Sequence, residues 1–367
     1  MELKNICIFC GKDAENKTKE HIIPKWLIKL TKQAKQEFLF GPYYNFENNK
    51  KLNLDFQSFT FENFVYPACY NCNIEYSKLE LSVKPVIQKI LGEDNLNTKD
   101  FNLLLTWLDK VRIGLYIADL YNSKNILGIQ PNFFIRQGVQ TKDRMLLIYK
   151  FETNINNLIF GGTGLPAFMH YPLSFYLIIN NIGFLNIADD FLLSKSFGLP
   201  YPKERYLENN KNVEVLVPGT KNINYPVIDV RYNEECTQIY QPVFNKFFRY
   251  YIQLLCPLDY YRKIFGNENS TYGEIFYKKP GTSIKKYLKE KNNDWIINTN
   301  LQLTDENINE YLYLIALRVQ YKYLCQYGVE TAPEIKDEIN RRLRNASELI
   351  KEILKFLETL PILKNLI

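Results

Sequence analysis

The sequence predicts an α+β protein: a small N-terminal module pinned by a four-cysteine zinc site, then a larger mixed α/β domain that ends in long helices. Three observations carry this expectation. Two C-x2-C pairs, Cys7/Cys10 and Cys69/Cys72, bracket one short stretch of chain. Runs rich in β-branched and aromatic residues, separated by turn residues, fill the middle. Apolar residues recur at intervals of three and four toward the end. The 367 residues are 46% hydrophobic and 23% charged, enough to bury more than one core, which excludes a disordered chain and a disulfide-stapled miniprotein.

In the first module the cysteines decide the reading. Two equal spacings can present four thiolates tetrahedrally to one zinc ion and so hold residues 11–68 at both ends. Either pair alone could instead be a redox motif, and chance burial is the third alternative. Cys236, Cys256 and Cys325 stand apart in apolar or aromatic surroundings. Inside the clamp, Lys19-Glu20-His21-Ile22-Ile23-Pro24 sets a carboxylate beside one of only two histidines in the chain, and Asn73 follows the second cysteine pair directly.

This arrangement, C-x2-C, then E-H-I-I-P-K-W-L, then C-x2-C-N, resembles the HNH endonuclease family with zinc knuckles, the ββα-metal fold. The resemblance covers about residues 7–80 and implies a structural Zn²⁺ on Cys7, Cys10, Cys69 and Cys72. It further implies that His21 is the general base, that Glu20 and Asn73 are ligands of a catalytic Mg²⁺ or Mn²⁺, and that Asn63 holds the hairpin in register. Glu80 lies seven residues after Asn73, about two helical turns, and is a candidate ligand of the same ion. The alternatives for Glu80 are a salt bridge on its own helix or a contact to the next domain.

The chemistry fits these residue types. Phosphodiester hydrolysis needs an activated water and positive charge near the developing phosphorane; an imidazole can take the water's proton, and a divalent ion can supply the charge. Pro24 restricts the chain just after the pair and helps hold a bend. Residues 1–36 carry eight lysines against four acids, and Lys19 and Lys25, which flank the motif, are the expected phosphate contacts. Trp26 and Leu27 are expected to seal the module's small core.

The module is expected to occupy residues 1–92, and residues 93–367 to form a sensor, targeting or assembly domain. Leu103, Leu104, Trp107, Leu108, Val111 and Leu115 predict an amphipathic helix, with Gly114 at a close crossing. Strands are expected over 144–151, 172–179, 213–217 and 227–230. Gly161-Gly162-Thr163-Gly164 reads as a turn, since it lacks the lysine of a phosphate-binding loop. Lys278, Lys279, Lys285, Lys286, Lys289 and Lys291 form the densest basic cluster, either a second backbone contact or an exposed face. Residues 300–367 are expected to be helical, one helix capped by Thr304 and another opened by Pro333.

The expected function is metal-dependent endonucleolytic hydrolysis of DNA; a zinc-knuckled module joined to a larger domain resembles bacterial defence nucleases that act against foreign DNA, and equally mobile-element and restriction enzymes. Two other readings stay open: a non-catalytic nucleic-acid-binding or scaffolding protein with structural zinc, and a nuclease that cleaves RNA. The formal net charge of +6 permits a polyanionic partner. A homodimer or higher oligomer through the C-terminal helices, and a trigger ligand or protein partner for the larger domain, are further expectations. The chain opens without a basic start and apolar run, and its greasiest stretch, 173–188, is broken by three asparagines. A cytoplasmic protein with no membrane partner is therefore expected.

Overall fold

The computed structural model describes residues 5–45, 53–122, 131, 134–137, 143–151, 156–163, 168, 172–189, 201–208, 211–217, 236–243, 272–280, 282, 285–286 and 305–327. The expected strand at 227–230 and the helix opened by Pro333 lie outside these residues.

A short strand β1 (Thr18–His21) pairs antiparallel with β4 (Val65–Ala68), setting Glu20 opposite Tyr66 and His21 opposite Val65. Between them lie α1 (Lys25–Thr31) and the hairpin β2 (Glu37–Asn45)–β3 (Asn53–Thr60). Helix α1 starts on Pro24, whose fixed φ suits an extended lead-in. It ends at Lys32, which adopts a left-handed conformation (φ +59°) and donates its N–H to the last carbonyls. The aromatic stretch from Phe38 to Phe64 thus becomes a hairpin inserted outside the β1–β4 pair, its base stapled by Phe38, Phe40, Phe59, Phe61 and Phe64. Immediately after β4 the chain enters α2 (Tyr70–Leu91). Pro85 sits inside this helix on an exposed position, so the carbonyl left without its intrahelical donor lies on the solvent side.

Helix α3 (Thr98–Asn122) is the hub. From Leu104 to Leu120 it is buried on nearly every face, apart from Thr106. One side meets the N-terminal module, where Trp107 lies 6.3 Å from Trp26 between ring centroids. The other side meets an antiparallel sheet of seven strands in the order β13-β12-β11-β5-β8-β7-β6. These are β5 (Asp143–Lys150), β6 (Leu158–Gly161), β7 (Ser174–Ile179), β8 (Ile182–Asp189), β11 (Thr237–Gln241), β12 (Phe276–Lys278) and β13 (Lys285–Lys286). A separate hairpin joins β9 (Tyr201–Glu208) to β10 (Lys211–Val217).

Period-two alternation divides the sheet's side chains between two cores. Leu146, Ile148, Phe175, Leu177, Ile179 and Phe184 face the core that holds α3. Met145, Leu147, Tyr149, Tyr176, Ile178, Leu185 and Ile187 face a second core closed by α4 (Asp305–Tyr327). The general α+β architecture read from sequence is therefore present: a cysteine cluster among short strands and helices, a larger mixed part, and a late long helix. The stretch 173–188 is the β7–β8 hairpin, sandwiched between helices. Among the described residues, no helix is long and apolar enough to cross a membrane.

Candidate functional site

The two cysteine pairs are brought together by the β1–β4 unit. The first knuckle folds through Gly11, whose φ of +72° is left-handed and whose added Cβ would strike the Phe134 ring at 2.5 Å. The second pair straddles the junction of β4 and α2: Cys69 caps the helix and Cys72 lies in its first turn. All four Sγ atoms lie within 4.8 Å of one another, and Cys10 Sγ is 3.9 Å from Cys69 Sγ. A tetrahedral zinc with bonds of about 2.3 Å requires sulfur–sulfur edges of about 3.8 Å, so the set fits a shared zinc. Backbone N–H groups already point at the sulfurs, Cys69 N donating to Cys7 Sγ at 3.2 Å and Glu15 N to Cys69 Sγ at 3.4 Å. Burial, together with the charge of Cys7 and Cys10, pushes the Cys72 thiol up to about 12. Despite its burial, Cys7 is held below the ordinary thiol value by hydrogen bonds from the backbone N–H of Cys69, Cys10 and Phe9. Without a cation the four cannot all ionise.

His21 ends β1 with its ring half-buried. Its Nε2 lies 3.2 Å from the Glu62 carbonyl. A carbonyl oxygen only accepts, so Nε2 donates and Nδ1 of the neutral ring is left bare. Burial lowers the imidazole's pKa, and the charges of Lys25 and Lys110 lower it further, against the pull of the Glu62 carbonyl. The ring is thereby biased toward its neutral, proton-accepting form. Asn63 shapes the turn that presents this carbonyl: its Oδ1 accepts from Thr60 N at 2.9 Å, and its own N donates to Thr60 O at 3.1 Å. Its side chain thus closes the loop leading into β4.

Asn73 stands one residue after Cys72 and reaches back to β1, its Nδ2 donating to Thr18 Oγ1 at 3.0 Å and to Lys19 O at 3.5 Å. Strand, knuckle and helix are thus fastened at one point. Lys19 and Lys25 are both exposed, as are Lys12, Lys17, Lys29, Lys32 and Lys35. Leu27 is fully buried and Trp26 packs on the core beside it.

Glu20 and Glu80 come together around a residue that the sequence reading did not single out. Lys110 of α3 sends its Nζ to within 2.7 Å of Glu20 Oε1 and 2.7 Å of Glu80 Oε1. The side chains of Lys110, Glu20 and Glu80 retain only 1%, 9% and 16% of their exposure. Burial alone would strip the ammonium of its proton; the two carboxylates overcome that and raise its pKa. Burial raises the Glu20 carboxyl, opposed by Lys110. As placed, Glu20 and Glu80 are partners of an ammonium rather than carboxylates open to a divalent ion, and Glu80 makes the contact to the following segment that was one of its alternatives. Among the described residues, the cysteines are the one cluster of three or more His, Cys, Asp or Glu side chains able to hold a metal.

The signal for Lys110 was present in the sequence. A lysine in a helix that is apolar on several faces, among Leu105, Trp107, Leu108, Val111 and Ile113, has no solvent side to turn to and requires an anionic partner. No protein-family model matches the chain, and neither a curated protein nor a solved structure does.

Proposed function

We propose that this protein is an HNH-type, divalent-metal-dependent endonuclease that hydrolyses DNA. The observation that carries the reading is the placement of His21. It sits at the end of a strand whose partner leads through a cysteine knuckle into a helix, with Nε2 engaged by a main-chain carbonyl and Nδ1 free to accept a proton. In this reading His21 takes a proton from the attacking water, and Asn63 positions His21 through the Glu62 carbonyl. Asn73 holds α2 against β1, and the exposed Lys19 and Lys25 bear on the phosphate backbone. The larger part of the chain would recognise the target or a trigger, or drive assembly, as suits a protein that defends a bacterium against foreign DNA.

A second reading is favoured by one specific observation, the ammonium of Lys110 between Glu20 and Glu80. With those carboxylates engaged, the module suits a nucleic-acid-binding or scaffolding role built on structural zinc. The discriminating experiment is nicking of supercoiled plasmid by zinc-loaded protein with Mg²⁺, Mn²⁺ or EDTA, wild type beside His21→Ala, and an RNA transcript in parallel. Ion-dependent DNA cutting lost in His21→Ala supports the nuclease. DNA retention in a gel shift without cutting under any of these conditions supports the binding module, and cutting confined to the transcript makes RNA the substrate.

A further inference from the structure

Where α3 crosses the end of the sheet, positive charge and hydrogen-bond donors are in surplus. Arg144 of β5 stands opposite Gln241 of β11 in register, and Asp109 Oδ2 of α3 lies 2.7 Å from Arg144 Nε. The same carboxylate takes Arg112 Nη2 at 2.8 Å. Among the described residues, Asp109 is the one carboxylate paired with either guanidinium, and the Arg112 and Arg144 side chains keep only 0% and 5% of their exposure. One negative charge thus answers two positive ones away from water. Burial lowers the Arg112 pKa, Asp109 opposes this, and the charge of Arg144 lowers it further. Among the described residues, Arg112 Nε and Asn186 Nδ2, both donors, are buried without a hydrogen-bond partner.

The surplus reaches solvent at Thr106, the break in the buried middle of α3. Arg144 Nη1 donates to Thr106 Oγ1 and to Gln241 Oε1, both at a long 3.4 Å, and its Nη2 has no partner among the described residues. Gln241 Nε2 donates to the Gly273 carbonyl at 3.1 Å, which fixes the orientation of that amide, and to Asn102 Oδ1 at 2.6 Å. Asn102 is therefore held by its oxygen, and its Nδ2 is left over. It lies one turn before Thr106 on the same face of α3 and, like Thr106, is half-buried. Tyr272 covers the Arg144 guanidinium at 4.2 Å and is itself 41% exposed.

We propose that Arg144, Thr106 and Asn102 form a binding site for the phosphate group of a small ligand. What remains to bond there is donors alone: Arg144 Nη2, the Thr106 hydroxyl and Asn102 Nδ2. Three donor groups match the three terminal oxygens of a phosphate better than the two of a carboxylate, and a guanidinium suits phosphate geometry. The anion also supplies the negative charge that Asp109 alone does not. Tyr272 offers a ring of the ligand an aromatic surface beside the arginine. No residue of this site belongs to the cysteine cluster or lies beside His21, so the proposal goes beyond the nuclease reading and does not rest on it.

The test is isothermal titration of full-length, zinc-loaded protein with orthophosphate, AMP and adenosine, at constant ionic strength and without divalent ions. Wild type is expected to bind orthophosphate and AMP in competition with each other, and adenosine at least about tenfold more weakly than AMP. Asn102→Asp keeps the acceptor for Gln241 and turns the spare donor into a charged oxygen, so phosphate binding is expected to be lost. Thr106→Val removes the hydroxyl while keeping the side chain's shape and is expected to weaken binding about tenfold. Tighter binding of AMP than of orthophosphate, levelled by Tyr272→Leu, supports the site and assigns it a ring-bearing ligand; equal binding of the two supports it for free phosphate. Wild type that binds no phosphate at millimolar concentration overturns the proposal, as does adenosine binding equal to that of AMP. Phosphate binding unchanged in Asn102→Asp overturns it too, and should that variant be unfolded by circular dichroism, unchanged binding in Thr106→Val does so. Cleavage does not enter this readout, so wild type that never cuts DNA is a separate outcome from failure of the site.

Discussion

Four thiols that share a volume only 4.8 Å across must give up protons to bind an ion, and burial pushes the Cys72 thiol up to about 12. Zinc affinity should therefore fall as the pH drops and protons compete for the sulfurs. Cys69→Ser is expected to lose the ion, measured by atomic absorption, and to lower the melting temperature markedly, since structural zinc contributes on the order of 10 kcal/mol in small metal-built units. A second prediction concerns His21. The chain has only His21 and His170, so proton NMR resolves the titration of each. His21 should titrate below the ordinary imidazole value of 6.5, because burial and the charges of Lys25 and Lys110 oppose its protonation. The sign for stability follows: a depressed folded value stabilises above the unfolded pKa, and that contribution is lost as the pH falls through the folded value. A His21 titration at or above 6.5 would contradict the described surroundings. Both predictions concern residues legible in the sequence, because Cys7, Cys10, His21 and Asn73 announce themselves by type and spacing. Lys110 was not legible as their neighbour, since it lies 90 residues from Glu20 and nothing local pairs the two.

Helix α3 carries the largest gap between pattern and structure at the level of elements. The spacing of Leu104, Trp107, Leu108, Val111 and Leu115 describes one buried stripe, but the helix is buried on nearly every face, because the N-terminal module covers the side that an isolated amphipathic helix would leave wet. Its ionic residues show the same thing: Asp109 pairs with Arg112 and, at 2.7 Å, with Arg144 of β5, while Lys110 turns to the module. Strands β5, β7 and β10 were legible from their own residues. Their order was not, since β11 pairs with β5 across a long stretch of chain and local pattern holds no trace of that choice. Gly114 was legible as a close crossing, and the structure supplies the partner: an added Cβ would meet Ile22 Cγ2 at 3.1 Å. Gly114 lies one turn after Lys110, so both fasten α3 to the residues that follow His21. Gly114→Leu is expected to push α3 off this turn and cost about 1–3 kcal/mol, read as a lower midpoint in urea with an unchanged slope. Unaltered stability in Gly114→Leu would mean that the α3 crossing is looser than described.

Across the whole molecule, the N-terminal module and the sheet share one core. A single buried cluster runs from Cys7, Phe9, Ile22 and Leu27 through Leu104, Trp107 and Leu115 to Leu146, Phe184 and Leu317. The expected division after residue 92 falls between α2, which ends at Leu91, and α3, which begins at Thr98. A fragment comprising residues 1–92 would keep all four cysteines, β1, β4 and α2. It would lose Trp107 from beside Trp26, Gly114 from against Ile22, and the ammonium between Glu20 and Glu80. Two facing carboxylates without their cation, and apolar side chains returned to water, both oppose folding, whereas zinc favours it. The fragment is therefore expected to bind one zinc ion yet melt over a broad range well below the full chain, with weakened near-ultraviolet circular dichroism. A fragment that melts as sharply and at the same temperature as the intact protein would show that α3 rests on the module without holding it.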